Sequence, residues 1–244
     1  MNNKIIAVIP MRSGSTRLKD KNIKLLHGRP LCVYAIEAAI KADIFDTIII
    51  NSDSRQYLET ALMSINPTLM YKMNPENKRL LFYLRSPELA QDNIQLEDVI
   101  IDCIENLNIN PDIVCTIQCT SPFILPEHLK GALNLMYNFK YISILSVYNK
   151  FKRFIWTLDN DAYKELKFKP INYMIKYRPD MKHFNNFYLE NGSFYFTIYA
   201  ALNTFQSRIS FNNGIYLMTN KGCDIDIDDI DDFNNAEQIM RELN

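Results

Sequence analysis

Ile5-Ile6-Ala7-Val8-Ile9 is an apolar run with no polar interruption. A strand with one face in water alternates apolar and polar side chains. A run without alternation reads as a strand buried on both faces, as in a parallel sheet covered by helices. Thr47-Ile48-Ile49-Ile50, Ile113-Val114-Cys115-Thr116-Ile117 and the stretch from Ile142 to Val147 read the same way. Helical patterns lie between them: from Pro30 to about Ala42, from about Arg55 to Met63, from Asp98 to Leu107 and from Pro126 to Asn138. Proline suits the first turn of such a helix. This alternation predicts right-handed βαβ units and an α/β fold with a mainly parallel central sheet flanked by helices. Phe194 to Ile198 reads as a further strand and Phe233 to Leu243 as a closing helix. From about residue 148 to 190 the texture changes to short, aromatic and basic pieces such as Lys150-Phe151-Lys152-Arg153-Phe154. They suggest a small excursion of hairpins or loops whose exposed aromatics serve a subunit interface. Nothing else divides the chain, so residues 1–244 are expected to form one domain.

Lys plus Arg total 27 and Asp plus Glu 28, a net charge of -1. No global basic field exists to hold nucleic acid, and any anion site must be built locally. Cys32, Cys103, Cys115, Cys119 and Cys223 include no CxxC pair. Buried thiols in a reducing compartment are expected. The run from Ile5 to Met11 is too short for a signal peptide, and no stretch approaches the roughly 20 apolar residues that span a bilayer. A cytoplasmic protein without membrane contact is expected.

Ligands of parallel α/β sheets bind where loops leave the carboxyl ends of strands. The first such loop runs Pro10-Met11-Arg12-Ser13-Gly14-Ser15-Thr16-Arg17-Leu18-Lys19-Asp20-Lys21-Asn22. Gly14 permits close backbone approach, and Ser13, Ser15 and Thr16 offer donors. Arg12, Arg17, Lys19 and Lys21 supply the charge that a triphosphate requires. Neither GxxxxGK[ST] nor GxGxxG occurs, and a solvated polar loop is the plain alternative. The stretch from Ile9 to Leu18, with Lys21-Asn22, resembles the N-terminal signature of the acylneuraminate cytidylyltransferases, the CMP-sialic acid synthetase family. The resemblance implies a Rossmann-like nucleotidyltransferase fold, triphosphate contacts for Arg12 and Lys21, and Asn22 near the nucleoside.

Three further segments resemble that family in the same order. Arg85-Ser86-Pro87-Glu88-Leu89-Ala90-Gln91-Asp92 is similar to a segment lying over cytosine and ribose. This makes Arg85 a nucleotide-binding candidate and Gln95 a candidate for the base. Without the resemblance the segment is a helix approach capped by Asp92 or Asn93. Gln118-Cys119-Thr120-Ser121-Pro122 resembles a turn between nucleotide and sugar, implying a sugar contact for Gln118 and a shaping role for Thr120 and Ser121. Glu190-Asn191-Gly192-Ser193-Phe194-Tyr195 resembles the acceptor-sugar stretch, with Asn191, Gly192 and Tyr195 as candidates. An Asn-Gly pair also suits a plain tight turn. Arg178 is a candidate partner for the sugar carboxylate, which arginine can grip with two parallel bonds.

Asp224-Ile225-Asp226-Ile227-Asp228 alternates strictly, so a strand would direct its aspartates to one face. Asp229, Asp231 and Asp232 suit the start of the following helix. Carboxylates gathered on one face repel unless a cation sits between them. The stretch resembles the family's metal site, implying Asp226 and Asp228 as Mg²⁺ ligands. His27, His128 and His183 do not have spacings that suit zinc. The resemblance therefore implies transfer of CMP from CTP to the anomeric hydroxyl of an acidic nine-carbon sugar, a nonulosonic acid, by a homodimer. Arg12, Lys21, Asp226 and Asp228 would carry the catalysis. A CMP-Kdo synthetase or another sugar-nucleotide cytidylyltransferase is the nearest alternative. A non-catalytic nucleotide-binding protein on the same fold is the other.

Overall fold

Successive residues of β1 (Ile5–Met11) enter two different cores, which is why its sequence shows no polar face. Ile5, Ala7 and Ile9 pack into one apolar cluster, while Ile6 and Val8 pack into another across the sheet. The computed structural model describes residues 3–72, 79–149, 156–158, 168–170 and 188–243. After β1 come the two-residue strands β2 (Leu25–Leu26) and β3 (Arg29–Pro30), then α1 (Leu31–Ala42), β4 (Thr47–Ser52), α2 (Arg55–Ser64), α3 (Pro67–Lys72) and β5 (Arg79–Leu84). There follow α4 (Leu96–Asn106), β6 (Ile113–Ile117), α5 (Pro126–Phe139), β7 (Ser143–Tyr148), β8 (Trp156–Leu158) and β9 (Phe168–Pro170). The chain continues with β10 (Leu189–Ile198), α6 (Tyr199–Phe205), β11 (Asn213–Leu217) and α7 (Ile230–Leu243).

A seven-stranded sheet has the order β11-β7-β10-β6-β1-β4-β5. Every neighbouring pair is parallel except those made by β10, which runs against both β6 and β7. Helices α1, α2 and α5 supply side chains to the first cluster, and α4 and α6 to the second. The parallel strands bring Met11, Ser52, Leu84 and Ile117 to one edge of the sheet. Because β10 is reversed, its amino end reaches that same edge.

Several local expectations need correction. The half-exposed edge strand β5 and the strand β11 carry no clear sequence alternation. Strand β10 begins at Leu189, and Asn191-Gly192 lies inside it rather than in a hairpin turn. A bulge there sets residues 191–194 opposite the single residue Ser146 of β7. Glycine at 192 meets the need for a positive φ of 68°. Gln95, rather than Asp92 or Asn93, is the N-cap residue of α4, and its side chain makes no cap bond. The stretch from Asp224 to Asp228 is not a sheet strand; a bond from the Ile227 amide to the Thr120 carbonyl, 2.9 Å, ties it down. Its alternation survives nonetheless. Ile225 and Ile227 are buried in a third cluster with Leu18, Leu31 and Phe233, leaving the aspartates on the other side. Asp229 accepts bonds from the amides of Asp231 and Asp232, capping α7.

Arg178 and most of the excursion at about 148–190 lie outside the described residues. No helix among the described residues is long and apolar enough to cross a membrane. All five cysteines are buried, and burial pushes the Cys32 and Cys103 thiols up to about 12.

Glu37 is a buried charge on α1, with Arg29 at 2.5 Å, Lys41 at 3.2 Å and the Asn66 amide at 3.2 Å. Burial alone would raise its carboxyl, but these partners outweigh that and hold it below its ordinary 4.5. Glu37→Ala should cost about 1–3 kcal/mol in a urea melt, since it strands the Asn66 donor and a partly covered arginine. With the folded value depressed, this contribution is complete above pH 4.5 and is lost as pH falls through the lower folded value. The stability gap between wild type and Glu37→Gln should close over that acid window. A gap that persists at the acid end would contradict the assignment.

Candidate active site

A cavity of about 450 Å³ opens at the carboxyl edge of the parallel strands. One wall is the loop after β1, which contributes Arg12, Ser15, Thr16, Arg17, Lys21 and Asn22. The opposite wall comes from the segment after β5, with Arg85, Leu89, Gln91 and Asp92. Gln118 and Thr120, after β6, form the base, and Asp228 stands at the rim.

Charge pairing joins these walls. Arg12 donates to Asp92 at 2.6 Å. Lys21 and Arg17 each reach Asp228 at 2.9 Å, across 207 and 211 residues of sequence. Lys21 is the enclosed member, with 12% of its side chain exposed against 67% for Arg17. Burial alone would raise the Asp228 carboxyl, but bonds and charge from Lys21 and Arg17 outweigh it and hold the group below its usual range. Asp226 behaves oppositely. Desolvation by the surrounding protein, with the charge of Asp228 adding, lifts its carboxyl against the Thr120 hydroxyl and Lys21, although the residue as a whole is exposed. The two carboxylates sense each other, and the charge of Lys21 acts on both while its ammonium bonds Asp228.

Of the acceptor-side candidates, Gln118 and Thr120 line the cavity, whereas Ser121, Asn191, Gly192 and Tyr195 do not. A side chain at Gly192 would begin 3.6 Å from an Asp226 oxygen. Asn191 is buried, donating to the Cys223 carbonyl at 2.7 Å, so its amide serves to hold the acidic stretch against β10. The Tyr195 hydroxyl donates to Glu190, and the Arg208 guanidinium stacks 4.5 Å from the Tyr195 ring centre. The Gln118 backbone N–H donates to the Ser193 carbonyl at 2.9 Å, linking turn and bulge. Ser121 is buried with a hydroxyl that has no partner among the described residues.

Of the nucleotide candidates, Arg12, Ser15, Arg17, Lys21, Asn22 and Arg85 line the cavity. Asn22 also donates to the Arg12 carbonyl at 3.0 Å, holding the loop's start. Gly14 is exposed on the loop, outside the lining, and Ser13 turns away from the cavity to Asp53. Exposed Gln95 is not brought to the cavity; Gln91 and Asp92 occupy that wall instead. Arg85 is only 3% exposed in its side chain, and its guanidinium is committed to Asn51 and Asp53. Sequence reasoning passed over Asp53. Its position at the carboxyl end of a doubly buried strand was the available signal.

A mainly parallel sheet with a cation-lined cleft at its carboxyl edge places the chain among α/β proteins built to bind a phosphorylated ligand. The chain belongs to the cytidylyltransferase family, whose profile matches residues 6–241. It is 31% identical to N-acylneuraminate cytidylyltransferase of Escherichia coli O18:K1:H7, over 100% of this chain and 54% of that protein. It is 32% identical to CMP-N,N'-diacetyllegionaminic acid synthase of Legionella pneumophila, over 54% of this chain and 53% of that one. The chain thus spans about half the length of the curated relatives it matches. Among solved structures, CMP:2-keto-3-deoxy-manno-octonic acid synthetase complexed with CTP has the same fold. Its TM-score is 0.65 at 15% identity, covering 99% of this chain and 100% of that one.

Proposed function

We propose that this chain transfers CMP from CTP to the anomeric hydroxyl of a nonulosonic acid of the sialic, legionaminic or pseudaminic type, releasing pyrophosphate. The observation that carries this reading is the meeting of Lys21 and Arg17 with Asp228 at one cavity that Arg12 also lines. Family membership and the names of the relatives support it. In the reaction, the hydroxyl oxygen bonds to the α-phosphorus of CTP as the bond from that phosphorus to the β-phosphate oxygen breaks. The hydroxyl loses its proton and pyrophosphate departs.

Arg12, Arg17 and Lys21 would exchange their carboxylate partners for phosphate oxygens, stabilising charge that grows on the leaving pyrophosphate. Asn22 and Gln91 would contact the nucleoside, and Gln118 and the bulge at Gly192 the sugar. The donor set at Asp226 and Asp228 fits Mg²⁺. Two hard carboxylates suffice for an ion that keeps waters and shares phosphate oxygens, and no larger group of metal-binding side chains stands among the described residues. Bound there, Mg²⁺ would supply Lewis-acid polarisation of the α-phosphate and lower the pKa of the attacking hydroxyl. A homodimer using the excursion at about 148–190 and a cytoplasmic location, suited to buried thiols, belong to the same proposal. Light scattering tests the first.

Incubation with CTP, Mg²⁺ and a panel of nonulosonic acids plus Kdo, read by product mass, tests the reaction. CMP linked to a nine-carbon acid is expected. Product from Kdo alone would move the reading to the eight-carbon acceptor, and CTP binding without any product would favour a binding protein. Lys21→Ala should lower kcat/KM for CTP roughly a hundredfold, the usual loss for one charge-stabilising donor. Unchanged steady-state kinetics would show that the loop's enclosed cation points away from the chemistry.

A further inference from the structure

Asp53, just beyond β4, is nearly enclosed, with 9% of its side chain exposed. One of its oxygens accepts the Ser13 amide at 3.0 Å, and the other accepts the Ser13 hydroxyl at 2.5 Å. The Arg85 guanidinium stands 3.4 Å from the first oxygen and is fixed in turn on Asn51, at 2.8 Å to the side chain and 3.2 Å to the carbonyl. Further clamps hold the same loop. The Tyr57 hydroxyl lies 3.0 Å from Asp20 and 3.4 Å from the Ser13 carbonyl, and Asn22 holds the Arg12 carbonyl. Between these fixed points run Ser15, Thr16 and Arg17, three of the residues that line the cavity. Neither Asp53 nor Ser13 lines it.

We propose that Asp53 is the positioning residue of the triphosphate loop, acting through Ser13 to hold the loop's donors and cations in place before the nucleotide arrives. This rests on the reading of the cavity as a CTP site. A bare carboxylate one residue behind a phosphate-binding loop would repel the ligand. The buried guanidinium of Arg85 offsets that charge, so Asp53 can serve as a two-handed acceptor behind the loop. An ordered loop surrenders less freedom when the triphosphate binds, so loosening it weakens the ligand that reaches the loop and spares one that does not.

The experiment is calorimetric titration of CTP and of CMP into the wild type, Asp53→Asn, Ser13→Ala and the double variant, with melting curves as the check on folding. Asp53→Asn should weaken CTP about tenfold, the scale of a few side chains left to be ordered on binding, and leave CMP within about twofold. Ser13→Ala keeps the Asp53–Arg85 pair intact, so it remains informative if Asp53→Asn does not fold; it too should weaken CTP and spare CMP. The double variant should be no weaker than Asp53→Asn, because the two residues act in one chain. A folded variant with an unchanged ratio of CTP to CMP affinity, or fully additive losses, overturns the inference while leaving the CTP site standing. Failure of the wild type to bind CTP overturns both.

Discussion

Asp228→Ala is expected to lower CMP-sugar formation by about a thousandfold or more, roughly 4 kcal/mol of transition-state stabilisation, with the melting temperature nearly unchanged. The stability side follows from where the anchoring lies. Ile225 and Ile227 are buried, and the backbone amide of Asp228 donates to Asp232 whatever side chain stands at 228. The Asp228 side chain itself is 40% exposed, and its pair with Arg17 is a surface contact of little worth. The activity side follows from its company. Asp228 is held ionised by Lys21 and Arg17, beside Asp226, at the rim of the cavity that takes the phosphates in our proposal. Losing it frees two cations, so CTP affinity should fall by less than about tenfold and could rise, because the phosphates no longer displace a carboxylate. Pyrophosphate release and calorimetric CTP binding therefore separate in this variant. Near-normal release would remove Asp228 from the chemistry. A matching collapse of CTP affinity would make it a binding residue only.

Arg85→Ala should destabilise the protein by about 3–5 kcal/mol, the cost of removing one partner of a buried ion pair. Arg85 and Asp53 are 3% and 9% exposed in their side chains, and the guanidinium also satisfies the Asn51 amide oxygen and carbonyl. Alanine would leave a carboxylate enclosed with no counter-ion. Urea denaturation at neutral pH reads this directly as a lower midpoint at similar slope. Replacing Asp53 as well should recover part of the loss, since the stranded charge goes with it. A loss below about 1 kcal/mol would mean that water reaches the pair on opening and that burial here is only apparent. If the pair braces the loop, CTP affinity should fall together with stability.

Much of the fold could be read from β1, β4 and β6, because each strand feeds side chains to two cores and so shows an apolar run without relief. Strands β5 and β11 could not, since edge strands are half solvated and their side chains answer to neighbours far away in sequence. The Asn191-Gly192 pair looked like a hairpin turn because positive φ is what turns and bulges both require. Only the reversed strand β10, between β6 and β7, makes it a bulge facing Asp226. Gln95 stays outside the cavity lining, although its neighbours Ile94 and Leu96 belong to it. A loop's path is set by what it packs on, so the wall went to Gln91 and Asp92 instead.

Taken by itself, the amino-acid chain determined the α/β class, the concentration of positive charge between Arg12 and Lys21, and the facing of alternate aspartates at 224–228. Each of these is a local property, carried by periodicity or by charge within a dozen residues. Tertiary structure alone decided that Lys21 and Arg17 meet Asp228, that Arg12 meets Asp92, and that Asp53 with Arg85 stands behind the loop. These pairings cross up to 211 residues. Their geometry follows from strand order, which is selected by the packing of the whole sheet and its helices and leaves no periodic trace in any one segment.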